Sequence, residues 1–139
     1  MVPFLDLKAQ YAEIKDEVNA AVLNVIESTQ FVLGAEVKAF EEDFAAYCEA
    51  DQCVALNSGT SALHMALLAM DIGPGDEVIT VSSTFIATIA AIRYTGATPV
   101  FIDVDQSSWT MNPDLIEAAI TPNTKAIMPV HLHGRVADM

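Results

Sequence analysis

The chain reads as an α/β fold with a mainly parallel sheet and flanking helices, and three observations carry that reading. From Cys53 onward, short strand-like runs alternate with helical runs. The strand runs are almost continuously apolar, as strands covered on both faces are. Glycine- and proline-bearing turns fall between them at short, regular intervals, which is the rhythm of βα units.

Residues 1–50 read as a helical segment. Tyr11 to Glu27 places Ile14, Val18, Val22, Val25 and Ile26 at helical spacing, with Glu13, Lys15, Asp16 and Glu17 between them. That pattern predicts an amphipathic helix. Ser28-Thr29-Gln30-Phe31-Val32-Leu33-Gly34 interrupts it, and Val37, Phe40, Phe44 and Tyr47 then form the stripe of a second helix. Both stripes are expected to be ordinary core rather than a partner groove.

Residues 51–139 carry the α/β pattern. Strands are expected at Cys53–Leu56, Val78–Val81, Pro99–Asp103 and Ala126–Val130, and helices at Ser61–Met70, Phe85–Tyr94 and Asp114–Ile120. Gly73-Pro74-Gly75-Asp76 and Tyr94-Thr95-Gly96-Ala97 are the turns. In open sheets of this kind ligands collect beyond the carboxyl ends of the strands. Asn57–Ser61, Ser82–Phe85, Asp103–Asp105 and His131–Gly134 are therefore expected on one rim.

Composition narrows the function. With 139 residues, 53% hydrophobic and 18% charged, the chain can bury a core and is not disordered. A net charge of −13 repels nucleic-acid phosphate and acidic membranes, and excludes both as expected partners. No apolar run spans a bilayer, and Met1-Val2-Pro3-Phe4-Leu5-Asp6 lacks the build of an export signal. Cys48 and Cys53 make no disulfide framework. A cytoplasmic protein is expected.

Asn57-Ser58-Gly59-Thr60-Ser61 is the stretch with the clearest chemistry. It joins an expected strand to a helix, so the first amides of the helix are unpaired and the dipole favours an anion there, most often a phosphate. The plainer alternative is that Ser58 or Thr60 only caps the helix. Phe85, on the same rim, either stacks on a flat ligand or packs into the core. Asp103-Val104-Asp105-Gln106-Ser107 opens like a calcium loop, but position six is Ser108 and position twelve is Asp114, so strand-end capping is the better account. His131 and His133, two apart, face one way on a strand and could share a metal; no further ligand lies at suitable spacing. A histidine lining a pocket, or bonded to a backbone carbonyl, fits better. No GxGxxG or GxxxxGK[ST] fingerprint occurs.

Taken together, several stretches resemble the DegT/DnrJ/EryC1/StrS family of pyridoxal-phosphate (PLP)-dependent sugar aminotransferases. They are Val2-Pro3-Phe4-Leu5-Asp6-Leu7, Phe31-Val32-Leu33-Gly34, Asn57-Ser58-Gly59-Thr60-Ser61-Ala62-Leu63, Gly73-Pro74-Gly75-Asp76-Glu77-Val78-Ile79, Thr84-Phe85-Ile86-Ala87-Thr88, Pro99-Val100-Phe101-Ile102-Asp103-Val104-Asp105 and Pro129-Val130-His131-Leu132-His133-Gly134. The resemblance implies the aspartate-aminotransferase (fold type I) large domain. Residues 51–139 would be its first part, and the chain an amino-terminal fragment with an exposed sheet edge and uncovered apolar faces.

It further implies that Gly59 and Thr60 hold the cofactor phosphate, that Phe85 stacks on the pyridine ring, and that His131 lies near the cofactor. Position 133 is His where the family often has Tyr. The family's Schiff-base lysine and pyridinium-pairing aspartate are not matched by any residue here. Lys8, Lys15, Lys38 and Lys125 do not stand in the lysine's place, and Asp138 belongs to a different family segment. The implied reaction of the intact family moves an amino group, as from glutamate, to a nucleotide-linked keto sugar, in a homodimer. A sugar dehydratase of the same family, or a non-catalytic PLP- or phosphate-binding module, is the alternative.

Overall fold

A computed structural model describes residues 3–139, so Val2 of the opening motif lies outside the described residues. The chain divides into two compact units, one through Ala55 and the other Leu56–Met139.

The first unit holds two helices, α1 (Leu7–Ser28) and α2 (Ala35–Tyr47). Asp6 starts α1 by accepting the Ala9 amide at 3.0 Å, and Thr29 ends it in the left-handed conformation. The stripes are not core. No residue of α1 is buried, and Ala45 is the one buried residue of α2. Among the described residues of this unit no third element closes over the two helices, and Val22 and Ile26 stay about half exposed. Phe40, Phe44 and Tyr47 instead stack along α2, with ring centres 5.5 and 6.3 Å apart.

The expected strand at Cys53–Leu56 does not form. Residues 53–56 are without a strand partner among the described residues, and Val54 is 74% exposed. The Ala55 amide, which a ladder would have paired, donates to Glu41 Oε1 at 2.7 Å.

The second unit is an α/β layer. Its order is α3 (Gly59–Ala69), β1 (Glu77–Val81), α4 (Ala87–Tyr94), β2 (Thr98–Ile102), a 3-10 turn at Pro113–Leu115, α5 (Ile116–Ala119), β3 (Thr124–Ile127) and a 3-10 turn at Leu132–Gly134. The three strands are parallel in the order β2-β1-β3. β1 is covered on both faces, which explains why its sequence is apolar without alternation. Val78 packs with Leu67, Ile72, Ala91, Ile92 and Ala97 on the side of α3 and α4. Ile79 and Val81 pack with Met111 on the other side, against Val100, Ile102, Ile116 and Val130. Thr80, buried with Val78, bonds the Met128 carbonyl at 2.9 Å and ties β1 to the chain leaving β3.

Local chemistry sets the ends of these elements. At the α4–β2 turn Gly96 takes φ +87°, and a Cβ there would lie 2.9 Å from the Pro74 ring, so only glycine fits. The helix expected from Phe85 begins at Ala87, because residues 82–86 bend tightly: the Thr84 amide donates to the Ser82 carbonyl and Thr88 to Phe85. The helix expected at Asp114–Ile120 is split, Pro113 opening a 3-10 turn that Asn112 caps. β3 starts and stops earlier than expected, although Met128 still donates to the Ile79 carbonyl at 2.8 Å.

Beyond β2 the chain doubles back: Val104 bridges Met111 antiparallel, and the Asp105 amide donates to the Thr110 carbonyl at 2.9 Å. Asp105 then caps this bend itself, Oδ1 accepting from the Ser107 hydroxyl (2.5 Å), the Ser107 amide (3.0 Å) and the Ser108 amide (2.8 Å). Its carboxylate is engaged in a turn rather than open to a cation. Those bonds, the Ser107 hydroxyl foremost, hold its pKa at about 2 rather than 3.8.

Two measurements check this description. Ile79 is fully buried, so Ile79→Ala lowers stability by about 2–5 kcal/mol in urea unfolding; a loss under about 0.5 kcal/mol would contradict the two-sided core. The Asp105 pKa is depressed in the folded chain, so its contribution is present above pH 3.8 and lost as pH falls through about 2. An NMR titration of its carboxyl carbon should therefore show a midpoint near 2, and a midpoint at the ordinary carboxylate value would refute the turn.

Candidate functional site

Ser58 precedes α3 in an extended conformation (φ −164°, ψ 157°), and its Oγ accepts the Ser61 amide at 3.1 Å. The expected cap is therefore Ser58, and it satisfies only one of the first-turn donors. The amides of Gly59 and Thr60 have no protein partner among the described residues. An ideal Cβ on Gly59 would meet nothing within 4 Å. Both amides thus open onto free space at the positive end of an 11-residue helix.

That space is a cavity of about 710 Å3, lined by Gly59, Thr60, Leu63, Phe85, His131 and His133, with Thr84 and Thr88 beside them. Its size falls in the ~300–1,000 Å3 range of small-molecule sites. The place follows from topology. The chain leaves β1 for β2 on one side and later returns with β3 on the other, so the strand order reverses at β1. A crevice opens outside the carboxyl ends of the two strands flanking such a point. Thr84 and Phe85 follow β1, and His131 and His133 follow β3.

Phe85 is 72% exposed, which rules out its packing into the core. Its ring instead forms part of the cavity wall. His131 lines the cavity, the first of its two expected places, and its Nδ1 accepts the Ala137 amide at 3.0 Å, so the backbone partner is an N–H rather than a carbonyl. The shared-strand geometry that would let His131 and His133 chelate a metal is absent: both lie after β3, and His133 is in a left-handed conformation (φ 55°) inside the 3-10 turn. Among the described residues no three His, Cys, Asp or Glu side chains group as a metal site.

Asp103–Asp105 leaves the carboxyl end of β2 on the expected edge of the sheet, since β2 runs parallel to β1, but it does not line this cavity. β2 lies on the far side of β1 from β3, and the bend after it lines a second cavity of about 470 Å3, with Arg135 and Asp138. Lys38 pairs loosely with Glu42 (3.7 Å) on the exposed face of α2, and Lys125 is exposed within β3, at its amino end rather than the carboxyl end that faces the cavity. No lysine, aspartate or glutamate is among the residues lining the 710 Å3 cavity.

Sequence reasoning passed over the Thr84–Thr88 pair. The two hydroxyls lie 2.9 Å apart on the cavity wall, and Thr88 is buried. Their spacing of four residues at the start of a helix was the available signal.

The residues fit a phosphorylated, flat cofactor: open amides for the anion, an exposed aromatic ring for the flat face, and apolar walls from Ala62, Leu63, Val130 and Leu132. The DegT/DnrJ/EryC1/StrS aminotransferase family model matches residues 12–139. The dTDP-3-amino-3,4,6-trideoxy-alpha-D-glucose transaminase of Streptomyces venezuelae is 52% identical over 138 residues, covering 99% of this chain and 36% of that protein. The crystal structure of S. venezuelae DesV in complex with a ketimine intermediate superposes with a TM-score of 0.95 at 52% identity, over 99% of this chain and 37% of the other. The NtdA structure from Bacillus subtilis, with its cofactor PMP bound, gives 0.91 at 37% identity, over 99% and 32%. This chain thus spans about a third of the length of the relatives it matches. No helix among the described residues is long and apolar enough to cross a membrane. A match through nearly every described residue, on the parallel α/β layer and open helix start described above, places the chain in the DegT/DnrJ/EryC1/StrS aminotransferase family.

Proposed function

We propose that this chain supplies the phosphate cradle and one ring face of a PLP-dependent aminotransferase that moves an amino group from an amino acid such as glutamate to a nucleotide-linked keto sugar. The pathway would be sugar or polysaccharide biosynthesis, in a cytoplasmic homodimer. The observation that carries this reading is the juxtaposition of the unpaired Gly59 and Thr60 amides with the exposed Phe85 around one cavity.

When bound, the cofactor supplies an electron sink for bond-making at the amino-bearing carbon. The chain's own residues bind and orient. Gly59 and Thr60 donate their amides to the phosphate, and the Thr60 hydroxyl adds a third donor. Lacking a Cβ, Gly59 leaves the approach to those amides clear. Phe85 covers one face of the ring and keeps water from it. The apolar walls lower the local dielectric, which strengthens each of these contacts.

The Schiff-base lysine and the carboxylate for the ring nitrogen are not supplied by the lining residues of this cavity. That observation supports a second reading, a module that holds PLP or phosphate without chemistry of its own. The two part at the covalent step. Borohydride reduction of the chain with PLP should leave Lys8, Lys15, Lys38 and Lys125 without a stoichiometric adduct; a specific adduct on one of them would place the catalytic lysine within this chain.

Two substitutions test the cradle. Gly59→Ala puts a methyl group into open space beside the amides, so folding stability stays within about 0.5 kcal/mol while PLP affinity, read by absorbance, falls roughly tenfold. Phe85→Ala, at an exposed ring, weakens PLP by about 0.5–1.5 kcal/mol with little change in melting temperature. Unchanged PLP affinity in both variants would remove the cradle from this turn.

A further inference from the structure

We infer that His131 is locked by the Ala137 backbone as the neutral Nε2–H tautomer and serves as a hydrogen-bond donor to an oxygen of the ligand in the cavity. The ligand half of this inference rests on the proposed PLP site; the tautomer half does not.

Three observations carry it. His131 Nδ1 lies 3.0 Å from the Ala137 nitrogen, in a bond that an N–H donor can make only to an unprotonated ring nitrogen. Ala137 is buried, with 3% of its surface exposed, so its amide has no ready access to water as a substitute acceptor. An Nδ1–H imidazole would set two donors face to face and leave a buried N–H unpaired. The proton of the neutral ring is therefore on Nε2, the one nitrogen that remains for the cavity His131 lines.

The fold around it is built to bring Ala137 back to residue 131. The chain turns through Leu132–Gly134, with His133 at φ 55° and Gly134 at φ 80°. Gly134 and Arg135 donate to the carbonyls of His131 and Leu132, at 3.2 and 3.1 Å. The Arg135 guanidinium bonds the Ser107 carbonyl at 3.0 Å and fixes the far side of the turn. The side chains lining the cavity include hydroxyls and the two imidazoles but no carboxylate. A donor at Nε2 thus has no protein carboxylate to satisfy it there, and an oxygen of a bound anion or ring hydroxyl matches it. Ala137 acts as the positioning group and His131 as the binding group, in the manner of imidazoles whose second nitrogen is oriented by the backbone.

Long-range 1H–15N NMR of the His131 ring tests the tautomer in the full chain without ligand. The expected pattern has the proton on Nε2, with the Ala137 amide protected from exchange; a proton on Nδ1 overturns the inference. His131→Asn keeps an acceptor near the Nδ1 position and removes the Nε2 donor, whereas His131→Gln offers a donor near Nε2 without the Nδ1 acceptor. His131→Asn should retain Ala137 protection yet lose about tenfold in PLP affinity, and His131→Gln should lose the protection. Wild-type PLP affinity in His131→Asn removes the donor role while leaving the cradle standing. If the unmodified chain shows no PLP binding at all, the cradle reading fails, and the ligand half of this inference fails with it.

Discussion

Everything in the carboxy-terminal unit depends on β1 being hydrogen-bonded on both edges and covered on both faces. Its pairing with β2 on one side and β3 on the other reverses the strand order at its carboxyl end. No continuous layer can close over that point, so a crevice remains there. The helix start at Gly59, the bend after β1 and the turn after β3 all open into it. The chemistry of the site is a consequence: one wall brings helix-end amides, one an aromatic ring, and one a backbone-oriented imidazole.

The same topology explains what the site excludes. The loop after β2 has the most conspicuous carboxylates of the unit, yet β2 lies beyond β1 from the crevice. Its Asp105 is held in a bend by Ser107 and Ser108. A cavity lined by no carboxylate favours a dianion at the helix start, because no lining carboxylate repels it or competes for its donors. Activity of the kind proposed calls for a lysine and a carboxylate that the lining residues of this cavity do not supply.

Much of this was legible in the sequence where local chemistry decides structure. The apolar runs of β1 and β2, the turns at Gly73–Asp76 and Gly96, and the Ser58 cap are set by neighbours in sequence, and the fold class followed from them. The strand at Cys53–Leu56 was not legible, because an apolar run forms a strand only when a backbone partner is alongside, and Glu41 takes the Ala55 amide instead. The stripes of α1 and α2 announced helices correctly but not burial, since amphipathicity states which face is apolar and not what covers it. That Gly59, Thr60 and Phe85 meet around one cavity could be expected from turn chemistry and from family resemblance. The His131–Ala137 bond could not, because it depends on a left-handed residue at 133 that sequence spacing does not disclose. The exclusion of the β2 loop likewise required the strand order.

The central claim is that the amides of Gly59 and Thr60 form an anion cradle for the phosphate of the cofactor. The most direct measurement is amide NMR of the chain titrated in parallel with PLP, inorganic phosphate and pyridoxal, which lacks the phosphate. The account predicts that the Gly59 and Thr60 resonances shift in a saturable way with PLP and phosphate and hardly move with pyridoxal. Equal shifts with pyridoxal, or saturable PLP binding that leaves these two amides unmoved, would contradict it.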